Sequence, residues 1–257
     1  QKFSNDNQLL IVFSDISKLK TLEKMREDFI GNVSHELRTP ISVIKANSET
    51  LLSNKLIKDE NAINFTKAIQ SQSERMATIV NELLSISSME SGDYPISLDK
   101  LNIKNIVDSA IKELNPMTES SNIKLVNKIS DITHIIGDES AIKIIISNYI
   151  TNAIKHSPDD EIIEIDNEKI DKDFCRIKVI DNGIGIAKKY RERVFERFFR
   201  VDKGRSKKIG GTGLGLSISK NLALMMGYSV GVESNEPKGS IFYIDVKIHQ
   251  ETSKEVA

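Results

Sequence analysis

From Leu19 the apolar residues Leu22, Met25, Phe29, Val33 and Leu37 recur at intervals of three and four, and Ile41, Ile44 and Leu51 carry the pattern to about Ser53. That spacing is the one-sided stripe of a long amphipathic helix. A polar turn at Asn54 to Lys58 separates it from a second stripe, Phe65, Ile69, Met76, Val80, Leu83 and Ile86, which predicts another helix from about Asp59 to Met89. Two helices alone bury too little apolar surface. A hairpin of this kind completes its core by dimerising into a four-helix bundle, so the expected partner is a second copy of the chain. Pro40 interrupts the first stripe, where its missing N–H predicts a bend.

Just before that proline, His35 and Thr39 stand four residues apart and share a helix face, with Arg38 at the neighbouring three-residue spacing. Glu36 points about 100° away from His35, so spacing does not pair them. A lone histidine on a surface helix is more often incidental than chemical. A coiled coil without chemistry would share the dimer, yet it leaves Arg38 and Thr39 unexplained.

Ser91 to Pro95, SGDYP, ends helical periodicity and marks a domain boundary. Beyond it the pattern predicts helices at Ile103 to Leu114, Glu139 to His156, Ala187 to Val194 and Leu214 to Met226. Strands are expected at Ile123 to Ile129, Glu161 to Asp166, Arg176 to Ile180, Ser229 to Ser234 and Ser240 to Ile248. The fold class is therefore α+β: an antiparallel helical hairpin, then an α/β sandwich of ordinary domain size. The domains expected are 18–28 as a helical linker, 29–91 as the helical module, 96–250 as the sandwich and 251–257 as a tail. At the front, the strand-like run Gln8 to Ser14 and the Asp15-Ile16-Ser17 turn resemble the end of a PAS sensor domain over 1–17, and the absence of an initial methionine suits a piece of a longer protein.

A net charge of −1, from 36 basic and 37 acidic residues, offers no electrostatic case for nucleic acid. Protein and nucleotide partners are expected instead. The single cysteine, Cys175, has no internal disulfide partner and sits in an alternating apolar run, which suits a buried structural thiol in a reducing compartment. Nothing in the chain approaches the roughly 18 apolar residues of a membrane span, so membrane attachment would come only through upstream segments.

Four stretches of the second half are suited to a nucleotide. In Glu139 to His156, Asn148, Asn152 and Lys155 fall on one helix face, and Ile142, Ile146, Ile150 and Ala153 on the other. Amide oxygens suit Mg²⁺, and a lysine one turn on meets phosphate charge; a solvated polar face is the plainer reading of that helix alone. Asp181 to Ile186, DNGIGI, places a carboxylate at a strand end with glycines beside it, able to accept from an adenine amino group, although Asn182-Gly183 is also a common hairpin turn. Phe195, Phe198 and Phe199 read as packing aromatics. Asp202 to Gly210 is a basic loop whose Lys203, Arg205, Lys207 and Lys208 screen phosphates or keep the loop solvated. Gly210 to Gly215, GGTGLG, then opens a helix, where free N–H groups and the helix dipole receive phosphate. It lacks the Gly-Lys-Ser/Thr of a Walker A loop, and Leu216 stands where a dinucleotide fingerprint needs its last glycine.

The string Ser34 to Pro40, SHELRTP, resembles the phospho-acceptor box of bacterial sensor histidine kinases. NYITNAIKH (148–156), DNGIGI (181–186), RVFERFFR (193–200) and GTGLGL (211–216) resemble the N, G1, F and G2 boxes of their ATPase domain, of the GHKL or Bergerat type, in matching order and spacing. The resemblance covers about Leu19 to Ile248, and the PAS-containing kinases of phosphate and cell-wall sensing are its nearest sub-family.

It implies ATP-dependent phosphorylation of His35 on a ring nitrogen, with Glu36 orienting or deprotonating the imidazole, Arg38 beside it, and Thr39 serving a phosphatase reaction. It implies Asn152 as the principal Mg²⁺ ligand with Asn148 beside it, and Lys155 and His156 near metal or phosphates. His156 occupies a position often held by tyrosine. Asp181 would read adenine, Gly183 and Gly185 would shape its pocket, and Gly211, Gly213 and Gly215 would form a moving lid; Ile186, Phe195, Arg200, Thr212 and Leu214 complete the implied nucleotide site. The phosphoryl group would pass to an aspartate of a response regulator, in the cytoplasmic portion of a membrane-anchored homodimeric sensor. The rival readings are a gyrase- or Hsp90-type ATPase and a non-catalytic dimeric scaffold.

Overall fold

The computed structural model describes residues 17–53, 59–119, 121–130, 134–201 and 211–250. The expected upstream strand, the turn at 54–58, the basic loop at 202–210 and the tail at 251–257 lie outside the described residues. Helix α1 spans Ser17–Ser53 and α2 spans Asp59–Ser91, as the two stripes require. Pro40 does not end α1. The hydroxyls of Thr39 and Ser42 donate back to the carbonyls of His35 and Arg38 (3.3 and 2.9 Å), flanking the carbonyl that proline's missing N–H cannot serve.

Packing divides the chain into two compact units between Met76 and Ala77, within α2. The helix itself stops at Ser91, where the glycine and proline begin. Ile86 and Met89 from its last turns are buried in the same apolar cluster as the core of the second unit.

That second unit has a two-stranded and a five-stranded sheet. Strands β1 (Asp99–Asn102) and β3 (His134–Gly137) pair antiparallel. The sequence shows no sign of them, because four residues are too few for an alternation to declare itself. The larger sheet has the order β2-β4-β5-β7-β6, from β2 (Lys124–Asn127), β4 (Ile162–Lys169), β5 (Phe174–Asp181), β6 (Ser229–Ser234) and β7 (Ser240–Lys247). β2 runs parallel to β4, and all other pairs are antiparallel. Helices α3 (Ile103–Thr118), α4 (Glu139–His156) and α5 (Gly215–Met225) supply the other layer. The helix expected at Ala187 to Val194 is instead two single 3₁₀ turns, Lys188–Tyr190 and Arg193–Phe195.

Along β5 burial alternates strictly, and Cys175, Ile177, Val179 and Asp181 face the core. The period of two explains both the burial of the thiol and the position of the carboxylate three pairs later. Cys175 is 2% exposed, and burial, with a smaller contribution from Asp245, pushes its thiol up to about 11. It is therefore expected to ignore an aromatic disulfide reagent at pH 8 and to react once the protein is denatured; rapid reaction of the folded protein would contradict this packing.

Candidate active site

Helix α4 begins at Asp138, whose side chain accepts from Ala141 N (2.9 Å) and from Ser97 N (2.9 Å). Ala141, Ile142, Ile145, Ile146, Tyr149, Ile150 and Ala153 bury one face of the helix, leaving Asn148, Asn152 and Lys155 half-buried on the other. The two asparagines differ in use. Asn148 donates its amide to Gly215 O (3.0 Å) and Ser219 Oγ (3.1 Å), tying α4 to the start of α5. The amide of Asn152 has no hydrogen-bond partner among the described residues, which leaves its oxygen for a ligand.

Asp181, 4% exposed, ends β5. Its Oδ1 accepts from Gly183 N (2.8 Å) and Ser240 N (3.1 Å). Burial raises its pKa, and those two donors oppose the rise. A Cβ on Gly183 would come within 2.5 Å of His156 O, so glycine alone lets this turn lie against the end of α4. The turn is not a hairpin: β5 lies between β4 and β7, and the chain leaves the sheet after Asp181. The β6–β7 connection closes over it, with Asn235 Nδ2 donating to Asp181 O (2.9 Å) and Asn182 Oδ1 (3.1 Å). Gly239 is packed so closely on the Asp181 carbonyl that a side chain there would collide with it, and Gly185 packs against Gly239 in turn. Ile186, half-buried, accepts from Arg191 Nε through its carbonyl (3.3 Å).

The remaining two stretches meet each other. Phe198 holds a positive φ of 59° and its N–H donates to Gly213 O (2.8 Å), a strained conformation of the kind that persists only where surroundings enforce it. Gly213 sits at φ +76° with its missing Cβ 3.0 Å from Phe198 Cα. Gly211 lies between Arg200 Nη2 (3.8 Å) and Lys155 Nζ (3.9 Å), and Gly215 presses on Asn148 Oδ1 (3.1 Å), each measured from the position a Cβ would take. Thr212 Oγ1 accepts from Leu214 N (3.2 Å), and the N-cap of α5 has no side-chain hydrogen bond. Phe195 and Leu214 are core residues, Phe195 standing edge-on to Phe242 with centroids 6.4 Å apart. Both belong to the buried cluster of the second unit.

On α1, His35, Arg38 and Thr39 are exposed. Glu36 is partly buried and its Oε2 pairs with Arg75 Nη2 of α2 at 3.0 Å. Sequence reasoning missed Arg75 altogether, since the two residues lie 39 positions apart and no local spacing relates them.

Residues 25–92 match the His Kinase A (phospho-acceptor) domain, and residues 137–250 match the histidine kinase-, DNA gyrase B- and HSP90-like ATPase. The chain thus carries a histidine kinase phospho-acceptor domain followed by a histidine kinase-like ATPase domain. It is 34% identical over 244 residues to the sensor-like histidine kinase SenX3 of Mycolicibacterium smegmatis, a match covering 94% of this chain and 63% of that protein. It is 34% identical over 250 residues to the sensor histidine kinase WalK of Bacillus subtilis, covering 95% and 40%. With the phosphate regulon sensor PhoR of Pseudomonas aeruginosa it shares 34% over 242 residues, covering 93% and 54%. The chain thus spans roughly half the length of these relatives. Among solved structures, full-length ShkA in complex with AMPPNP is 25% identical with a TM-score of 0.65, over 88% of this chain and 47% of that one. The histidine kinase ThkA in complex with the response regulator TrrA, at 21% identity and a TM-score of 0.69 over 92% and 68%, shares the fold.

The contact between Gly213 and Phe198 is open to a controlled test. Gly227 has the same φ of +76° with nothing within 4 Å of a Cβ. Gly227→Ala is expected to cost about 1–2 kcal/mol for the left-handed conformation alone, and Gly213→Ala more than that, as read by urea denaturation. Equal losses would deny the packed contact.

Proposed function

We propose that this chain phosphorylates His35 with ATP and passes the phosphoryl group to an aspartate of a response regulator. The observation that carries the reading is the convergence of separated stretches on the second half of α4: the turn after the buried Asp181 lies against His156, the glycines before α5 lie against Lys155 and Asn148, and the Phe198 segment holds those glycines. Their contacts demand glycine where a bound molecule would lie against backbone. The same chain carries an exposed His35 inside a matched phospho-acceptor domain.

Asp181 accepts from the adenine amino group, with Gly183, Gly185 and Ile186 along that side. Lys155, Arg200, Gly211, Thr212 and the start of α5 face the phosphates, and His156 lies beside them. The residues fit a magnesium ion: Asn152 offers a neutral oxygen donor with Lys155 one turn away, as suits a hard cation that shares phosphate oxygens. Mg²⁺ would neutralise charge on the phosphates. Asn148, already committed to α5, has its Oδ1 as the secondary donor. Transfer is then chiefly positioning and charge neutralisation, and a neutral His35 attacks the γ-phosphorus. Glu36 orients or deprotonates the imidazole; Arg75 holds one of its oxygens, so that task falls to the other. Arg38 and Thr39 serve the regulator's side, where Thr39 releases its bond to the His35 carbonyl to place water on the phospho-aspartate.

Homodimerisation is supported by Ile30, Ile41 and Ile63, which remain 54, 49 and 52% exposed on helices of the first unit. A regulator partner is supported by the named complex of ThkA. Among the described residues no helix is long and apolar enough to cross a membrane.

Incubation with γ-labelled ATP and Mg²⁺ is expected to leave acid-labile, base-stable label on the wild type, none on His35→Gln with nucleotide still bound, and little on Asn152→Ala. Label on His35→Gln would sink the assignment. Thr39→Ala is expected to keep autophosphorylation and lose dephosphorylation of the regulator; unchanged dephosphorylation would remove Thr39 from that role. Because burial raises the Asp181 pKa, adenosine affinity should be full above that value and fall as pH drops through it, at a higher pH than an ordinary aspartate would give. Titration calorimetry carried downward in pH from neutrality reads the step, and Asp181→Asn should abolish it.

A further inference from the structure

Within the second unit, the last turns of α2 present Ile79, Glu82, Ile86 and Met89 at intervals of three, four and three, a single stripe along one face. Ile79, Ile86 and Met89 are buried, and Ile86 and Met89 join the unit's core. Glu82 places a carboxylate in the middle of that stripe. Thr212 and Lys155 lie near enough to its side chain to favour the charged form, while Oε2 is inaccessible to solvent and has no hydrogen-bond partner among the described residues. Two turns on, Glu90 pairs with Arg197 of the phenylalanine segment, holding the helix in place. A half-satisfied buried carboxylate is costly. Burial accordingly raises its pKa. The partners it does have, Lys155 and Thr212, are two of those assigned above to the phosphates.

We propose that Glu82 is an internal anion that occupies the phosphate end of the nucleotide site, so that the phosphate chain must displace the end of α2 to bind. The inference rests on the nucleotide reading above. Lys155 and Thr212 exchange one anion for another: with Glu82 in place they are engaged, and the like charge of the carboxylate repels the phosphates. When the phosphates arrive, Glu82 leaves, and the turns of α2 around it lose their polar tether. The same contact thereby sets nucleotide affinity and couples the site to the helix that continues into the first unit.

The test compares ATP, ADP and adenosine binding, with Mg²⁺, to the wild-type chain, Glu82→Gln and Asp181→Asn by titration calorimetry. Glu82→Gln retains shape and hydrogen bonding and loses only charge. It is expected to bind ATP roughly 5- to 150-fold more tightly than the wild type, the usual span of such a coupling, ADP by a smaller factor and adenosine unchanged. A gain equal for all three ligands, as a merely structural change would give, overturns the proposal, and so does no gain. A wild type that binds nucleotide no better than Asp181→Asn overturns the nucleotide reading and the proposal with it. A second measurement needs no variant: in the wild type, amide exchange across Ala77 to Met89 should quicken with saturating ATP and not with adenosine. Protection of those amides by ATP would refute displacement.

Discussion

A carboxylate buried at the end of a strand is expensive, and much of the second unit is arranged around keeping Asp181 there. The alternation of β5 turns it inward, and the register that pairs it with Ser240 brings one N–H to its oxygen while the turn to Gly183 brings another. Those bonds require that the β6–β7 connection close over the turn. Gly239 permits that closure by having no side chain, and Asn235 fastens it. The site is thus an extension of sheet geometry: remove the register and the acid loses a donor and its place together.

Helix α4 shows how one element serves core and site at once. Its isoleucines anchor it on the sheet, and its polar face divides labour, Asn148 holding the start of α5 while Asn152 makes no hydrogen bond among the described residues. The strained Phe198 and left-handed Gly213 then lock the phenylalanine segment to the glycine stretch. Of the two conformations only that of Phe198 is strained, and this contact helps to enforce it, whereas glycine adopts a positive φ freely.

Three charged residues of α2 have three different duties. Arg75 pairs with Glu36 of α1, Glu82 reaches Thr212 and Lys155, and Glu90 meets Arg197. The packing boundary at Met76 falls between the first of these and the other two.

What could be read from the chain itself was whatever depends on local period. The stripes of α1 and α2, the two faces of α4, and the alternating run that buries Cys175 all follow from repeats of 3.6 and 2 residues. The resemblance of the boxes supplied roles that no period contains. Where signals were short or irregular the reading failed, as at β1, β3 and the 3₁₀ turns that replaced a helix. Tertiary structure alone decided that Asn182-Gly183 is no hairpin, that Asn148 and Asn152 differ, that Glu36 belongs to Arg75, and that an acid in an apolar stripe faces Lys155. The reason is physical: these are contacts between residues tens of positions apart, set by how faces pack and not by spacing along the chain.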